Sequence, residues 1–205
     1  MEGQTVLLAA LMAGIVATTV TVLIEKYGGV VGGILGTIPT TIIPASIGMA
    51  SEGGDDALII SLAIVPSGML INAIFLSVWA LLPEKLPKTW SQRNSLFFTS
   101  IISLIVWAGV GLFSIKMIDK AMNNNYSPKE ISIFGLLLVA TLGIVMCWNL
   151  KPAPKGSNSV SKKILAARGF VASIAIGVAV LISSLGMPLL AGLASVFPAI
   201  FLTSM

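Results

Sequence analysis

The chain has 205 residues, of which 56% are hydrophobic and 10% charged, and its mean hydropathy is +1.01. A soluble domain carries about 25% charged residues, so a water-soluble surface is excluded, and so is disorder, which needs low hydrophobicity and high charge. The formal charge of +4 and pI of about 9.4 sit in short segments between apolar runs, which reads as membrane topology rather than nucleic-acid binding.

The expected fold is all-α: a polytopic transmembrane bundle of about seven spans in one membrane domain, residues 1–205. A bilayer core of about 30 Å takes roughly 20 helical residues. Backbone groups in lipid must be satisfied internally, and the apolar runs lack the alternation of barrel strands. In chain order the spans are 5–24, 30–49, 57–82, 95–115, 131–150, 164–185 and 187–205. The N-terminus is acidic at Glu2, unlike the basic start of a signal peptide, so the first run is read as a retained span.

Between the spans lie SEGGDD at 51–56, PEKLPKTWSQRN at 83–94, a 116–130 segment with Asn123-Asn124-Asn125 and Pro128, and KPAPKGSNSVSKK at 151–163. With seven spans, Lys26, Lys85, Lys88, Arg93, Lys151, Lys155, Lys162 and Lys163 share one side, against Lys116, Lys120 and Lys129 on the other. The positive-inside rule then puts the N-terminus outside or lumenal and the C-terminus in the cytoplasm. Tyr27, Trp90, Tyr126 and Trp148 fall near span ends, as an interfacial belt requires. Arg168, about one turn into the sixth span, is placed to snorkel to the inner interface.

The two ends of the chain resemble each other. An ungapped overlay of 12–46 on 171–205 sets Gly33 on Gly192, Gly36 on Ser195 and Pro39 on Pro198. Spans one and six run in opposite directions, so this repeat is expected to be inverted, as in transporters with interrupted helices. The first copy continues past Ser46, whereas the second stops at Met205, which suggests a shortened version of a longer protein.

The richest stretch is GGVVGGILGTIPTTIIPAS, 28–46. Gly28, Gly29, Gly32, Gly33 and Gly36 allow close helix approach. Pro39 and Pro44 interrupt the hydrogen-bond ladder, and hydroxyls of Thr37, Thr40, Thr41 and Ser46 are available to the freed carbonyls. A kinked or unwound span with exposed backbone dipoles follows. Val65-Pro66-Ser67-Gly68 breaks the next span, with Asn72 one turn on, and three interrupted helices then converge on one polar pocket. The substrate-binding candidates are therefore Gly36, Thr37, Pro39, Thr40, Thr41, Ser67, Asn72, Ser195, Pro198 and Thr203.

Catalysis is not expected. The chain has no histidine, its one cysteine, Cys147, lies in an apolar run, and no Asp, Glu, Lys or Arg is expected deep in a span. This disfavours coupling through a buried carboxylate. Gly53-Gly54-Asp55-Asp56 resembles a nucleotide-cyclase signature, but the short linker cannot form that domain. No metal-ligand spacing, P-loop or nucleophile elbow is found, and no cofactor or nucleic-acid partner is expected. The expected partner is the lipid bilayer, with small-residue faces suited to a second copy or another membrane protein.

The run 33–82 resembles small bacterial inner-membrane proteins of the GlpM type. The order is a Gly-x-x-x-aromatic-Pro-Thr helix, a short acidic and Gly-containing loop, then a long apolar span, here GTIPTTIIPASIGMASEGGDDALIISLAIVPSG. GLASVFPAIFLTSM at 192–205 repeats the first part with Phe197-Pro198. Ile38 stands where that pattern has an aromatic, and Pro44 is additional. The resemblance covers about a quarter of the chain and implies a membrane protein without assigned chemistry. The functional expectation is a transporter- or channel-like protein that binds or passes a small solute or lipid group. A non-transporting scaffold or assembly partner is the alternative.

Overall fold

The computed structural model describes residues 2–27, 38–148 and 161–199. Among them are seven α-helices and one short 3-10 turn: α1 (Glu2–Tyr27), α2 (Ile42–Ala63), α3 (Val65–Leu81), the turn Pro83–Lys85, α4 (Gln92–Asn123), α5 (Pro128–Cys147), α6 (Lys162–Ser184) and α7 (Pro188–Ser195). Five stretches are long and apolar enough to cross a membrane: Gly3–Tyr27, Val65–Lys85, Gln92–Asn123, Pro128–Val145 and Lys162–Ser184. A helical bundle of this kind is consistent with a multi-pass membrane protein.

Local chemistry sets the helix ends. Ser91, Ser127 and Ser161 are N-caps whose hydroxyls accept from Asn94, Glu130 and Ile164 amides. At α5 the cap is reciprocal, because the Ser127 amide donates to Glu130 Oε2 at 2.7 Å, and Pro128 begins the helix where no amide is needed. α4 and α6 close in the same way. Asn125 (φ 67°) and Gly186 (φ 75°) take the left-handed conformation. The next amides, of Tyr126 and Met187, then reach back to the carbonyls of Ala121 and Ile182.

Three expectations are corrected. SEGGDD is not a loop between spans: α2 runs through it, and only Gly54 (φ 79°, ψ 175°) leaves helical geometry. Glycine alone adopts that conformation without strain, so the chain turns there in one residue. The expected single span 57–82 is instead divided at Ile64, between α2 and α3, next to Pro66. Arg168 does not snorkel along lipid; it is buried at 7% exposure. The reason is the neighbouring Gly169, which lets α1 close over this part of α6.

That α1–α6 contact is the tightest seam between full-length helices. A Cβ added at Gly169 would lie 2.5 Å from Thr18 Oγ1 and 3.2 Å from the Gly14 carbonyl oxygen. One added at Gly14 would strike Ser173, and one at Gly177 would meet Ala10 at 3.4 Å. Numbers rise on one helix as they fall on the other, so the pair is antiparallel. Two buried clusters flank α7. One joins Ala9, Ala13, Met49, Ile176, Val180 and Ala191. The other joins Ile64, Ile71, Phe75, Trp107, Leu193 and Val196. α7 contributes to both and acts as the wedge between them.

The contacts sort the charges by end. Gly48 meets Val180 and Ala9, and Gly53 meets Ser183, so the Gly54 turn lies beside the start of α1 and the end of α6. Asp55, Asp56, Asp119 and Glu130, with Lys116, Lys120 and Lys129, occupy this end. Lys26, Lys85, Lys88, Arg93, Lys162 and Lys163 occupy the other, with Glu25 and Glu84. These are called the acidic and basic ends below; Lys151 and Lys155 lie outside the described residues. Tyr27, Trp90, Tyr126 and Trp148 are all exposed at helix ends.

Candidate functional site

α2 and α7 both stop short inside the bundle. α2 starts at Ile42 after the Pro39 break, with Thr41 as an N-cap that makes no side-chain capping bond. α7 enters from the acidic end and stops at Ser195, before Pro198. α2 thus offers its N-terminal end and α7 its C-terminal end, of opposite dipole sign.

A cavity of about 210 Å³ separates them. Ile38, Pro39, Thr40 and Thr41 form one wall, and Ser195, Val196, Phe197, Pro198 and Ala199 form another. Met69, Asn72, Ala73 and Leu76 of α3, Val139 of α5, and Ala172, Ala175 and Ile176 of α6 close the remainder. Asn72, Val139 and Ala172 each lie near the middle of their own helix, so the cavity sits at half-height. At about 30 Å³ per water, a 210 Å³ space has room for a small solute.

The lining is mostly apolar with a few fixed polar groups. Asn72 is held on both sides: its Nδ2 donates to the Val196 carbonyl at 2.9 Å, and its Oδ1 accepts from Trp107 Nε1 at 2.9 Å. Trp107 also meets Phe197 edge-on, with ring centroids 5.3 Å apart and planes at 84°. Asn72, Trp107, Phe197 and Val196 therefore form a clasp that ties the end of α7 to α3 and α4. Ser195 Oγ donates to the Gly192 carbonyl at 2.7 Å, which leaves its lone pairs available. Thr40 Oγ1 is buried and has no hydrogen-bond partner among the described residues. The expectation that the Thr40 hydroxyl caps a freed carbonyl is thus corrected. Turn bonds from Ile42 to Pro39 and from Ala45 to Thr41 take up that part of the backbone instead.

Of the sequence candidates, Pro39, Thr40, Thr41, Asn72, Ser195 and Pro198 border this one cavity. Ser67 does not; it packs against Gly135 of α5, where an added Cβ would lie 3.3 Å from its hydroxyl. The third break thus supplies Asn72 and Met69 from the helix after it, not the break itself. Gly36, Thr37 and Thr203 lie outside the described residues, as do Gly28, Gly29, Gly32 and Gly33. Comparison with family models, with curated proteins and with solved structures finds no match to this chain.

Sequence reasoning missed Trp107, which no local pattern tied to Asn72, and the α6 wall. It also missed the close α1–α6 approach, although Gly169-x-x-x-Ser173-x-x-x-Gly177 carries small residues at the spacing such contacts need. Extending the overlay of the two chain ends sets Ala10 on Gly169, Gly14 on Ser173 and Thr18 on Gly177. Gly14 meets Ser173, its own counterpart, while Thr18 meets Gly169 and Ala10 meets Gly177. Exchanging the two copies exchanges these last two contacts.

Proposed function

We propose that the protein is a small transporter- or channel-like membrane protein whose central cavity binds or passes a small, uncharged or zwitterionic solute or lipid group. One observation carries this reading: Pro39 and Pro198, set on each other by the sequence overlay, border the same cavity at half-height. Discontinuous helices meeting at mid-membrane supply substrate contacts from opposite dipole ends. The described lining holds no Asp, Glu, Lys or Arg, which favours a solute without net charge. Thr40, Ser195 and the Asn72 clasp are the polar groups that would orient it.

The two copies are read as an inverted repeat about an axis through the α1–α6 crossing. Its support is the antiparallel run of those helices and the exchange of contacts between corresponding residues. With the two interrupted segments counted, the chain makes seven passes. The basic end is assigned to the cytoplasm by the positive-inside rule, which leaves the N-terminus outside or lumenal. The GlpM-type likeness brings no chemistry to this reading.

The test is flux into proteoliposomes, using a panel of small neutral, zwitterionic and anionic solutes against protein-free vesicles. Pro39→Ala and Pro198→Ala should alter flux more than they alter expression or thermal midpoint. Thr40→Val should lower flux more than it alters expression, because it removes a polar group from the cavity wall. Folded protein with no flux for any solute, and one partner co-purifying reproducibly, would leave the scaffold reading instead.

A further inference from the structure

We infer that the seam between α3 and α4 is a hydrated path joining the central cavity to the basic end of the bundle. Three buried polar atoms along this seam have no hydrogen-bond partner among the described residues: Thr99 Oγ1, Ser103 Oγ and Trp79 Nε1. Thr99 and Ser103 are both fully buried at 0% exposure. With Trp107 they form a stripe at four-residue spacing on α4, the face turned to α3, its main packing partner. Trp107 is bonded to Asn72 at the cavity wall. The eight residues from Trp107 back to Thr99 rise about 12 Å at 1.5 Å each, most of the distance from mid-membrane to the interface at half of a roughly 30 Å core. The path therefore starts at the cavity and heads for Lys85, Lys88 and Arg93.

The hydroxyls make the case for water. In a helix, a serine or threonine without another partner normally bonds the carbonyl one turn earlier. Thr18, Thr21, Ser77, Ser100 and Thr141 of this chain do so, each at 2.8 Å. Thr99 and Ser103 do not. Leaving such groups dry is costly, whereas ordered water with two to four polar neighbours satisfies them.

Toward the acidic end the helices pack closely. Between the cavity and the acidic end, Gly192 lies against the Ser61 carbonyl, Gly68 against Val196 and Gly53 against Ser183. Ser61 Oγ also donates to the Pro188 carbonyl at 2.8 Å. A solute in the cavity would then exchange with the basic side along the α3–α4 seam. This last step rests on reading the cavity as a solute site.

The experiment is thiol labelling of the full chain in membranes. In a Cys147→Ser background, Thr99→Cys and Ser103→Cys are treated with a cationic, membrane-impermeant methanethiosulfonate added at either end. The control is Ile105→Cys, at similar depth on a 62% exposed, lipid-facing position. The thiolate is the reactive form and needs water, so both seam cysteines should react about tenfold or more faster than the control from the basic end. Rates no faster than the control overturn the path, and faster labelling from the acidic end overturns its direction. Should the cysteine variants fail to fold, Thr99→Val decides: a lower thermal midpoint supports hydration, and an unchanged or raised one means a dry seam. Labelled seam cysteines in vesicles without flux would leave the path standing and the transport reading fallen; flux with unlabelled seam cysteines would do the reverse.

Discussion

α1 and α5 are both apolar helices of membrane-spanning length, yet 33% of the α1 span is buried inside the bundle and 6% of the α5 span. The difference lies in side-chain size. α1 turns Ala9, Ala13, Ala17 and Gly14 inward, while α5 presents Phe134, Leu137 and Ile144 outward. Lipid tails are as apolar as leucine, so large apolar side chains gain little by leaving lipid for another helix. Small ones let backbones approach and gain packing that lipid cannot supply. Hydropathy thus selects the membrane, and the small residues select the core.

Glycine substitutions give the largest test of that contrast. Gly14→Leu or Gly169→Leu should cost about 3 kcal/mol or more through overpacking, read as a large fall in the thermal midpoint in detergent. Gly109→Leu and Gly143→Leu, where nothing lies within 4 Å of an added Cβ, should stay within about 0.5 kcal/mol of the parent. Similar losses at all four would break the comparison.

Next comes the clasp that fastens the inner region to the outer helices. Asn72→Leu strands Trp107 Nε1 and the Val196 carbonyl, and should cost about 1–3 kcal/mol. Tryptophan emission should shift as the Trp107–Phe197 contact loosens, and an unchanged spectrum with full stability would mean the clasp holds nothing. Within α5, Ser127→Ala removes the capping box and should cost about 1 kcal/mol, visible as faster amide exchange in the first turn of that helix alone. Smallest is Leu137→Phe on the outer face of α5, 61% exposed. Its thermal midpoint should move by no more than about 0.5 kcal/mol equivalent, and a marked loss would reveal a protein contact where lipid is expected.

Much of the fold was legible because its signals were local. The apolar runs and the proline-marked breaks act within a few residues. Six of the ten site candidates meet at the cavity because Pro39 and Pro198 each stand just beyond a helix end, a break that can be read without tertiary knowledge. Pro44 does not interrupt the ladder as expected, since it falls in the first turn of α2, where its missing amide costs nothing. Ser67 was misplaced because a break says where a helix bends, not which way its side chains turn. Gly54 was read as part of a loop, when a single left-handed residue between helical neighbours turns the chain equally well. Arg168 was assigned to the lipid interface because nothing in its own neighbourhood announced that α1 would cover it.

By itself the sequence determined the medium, the helical class and the positions where helices are interrupted, since composition and backbone chemistry act without knowledge of partners. The tertiary structure alone decided which small residues touch, that Asn72 joins Trp107 and Val196 across distances of 35 and 124 residues, and which hydroxyls are left without partners. Such pairings depend on how separate helices cross. Crossings in lipid are chosen by the fit of whole faces, and no short stretch of chain carries that information.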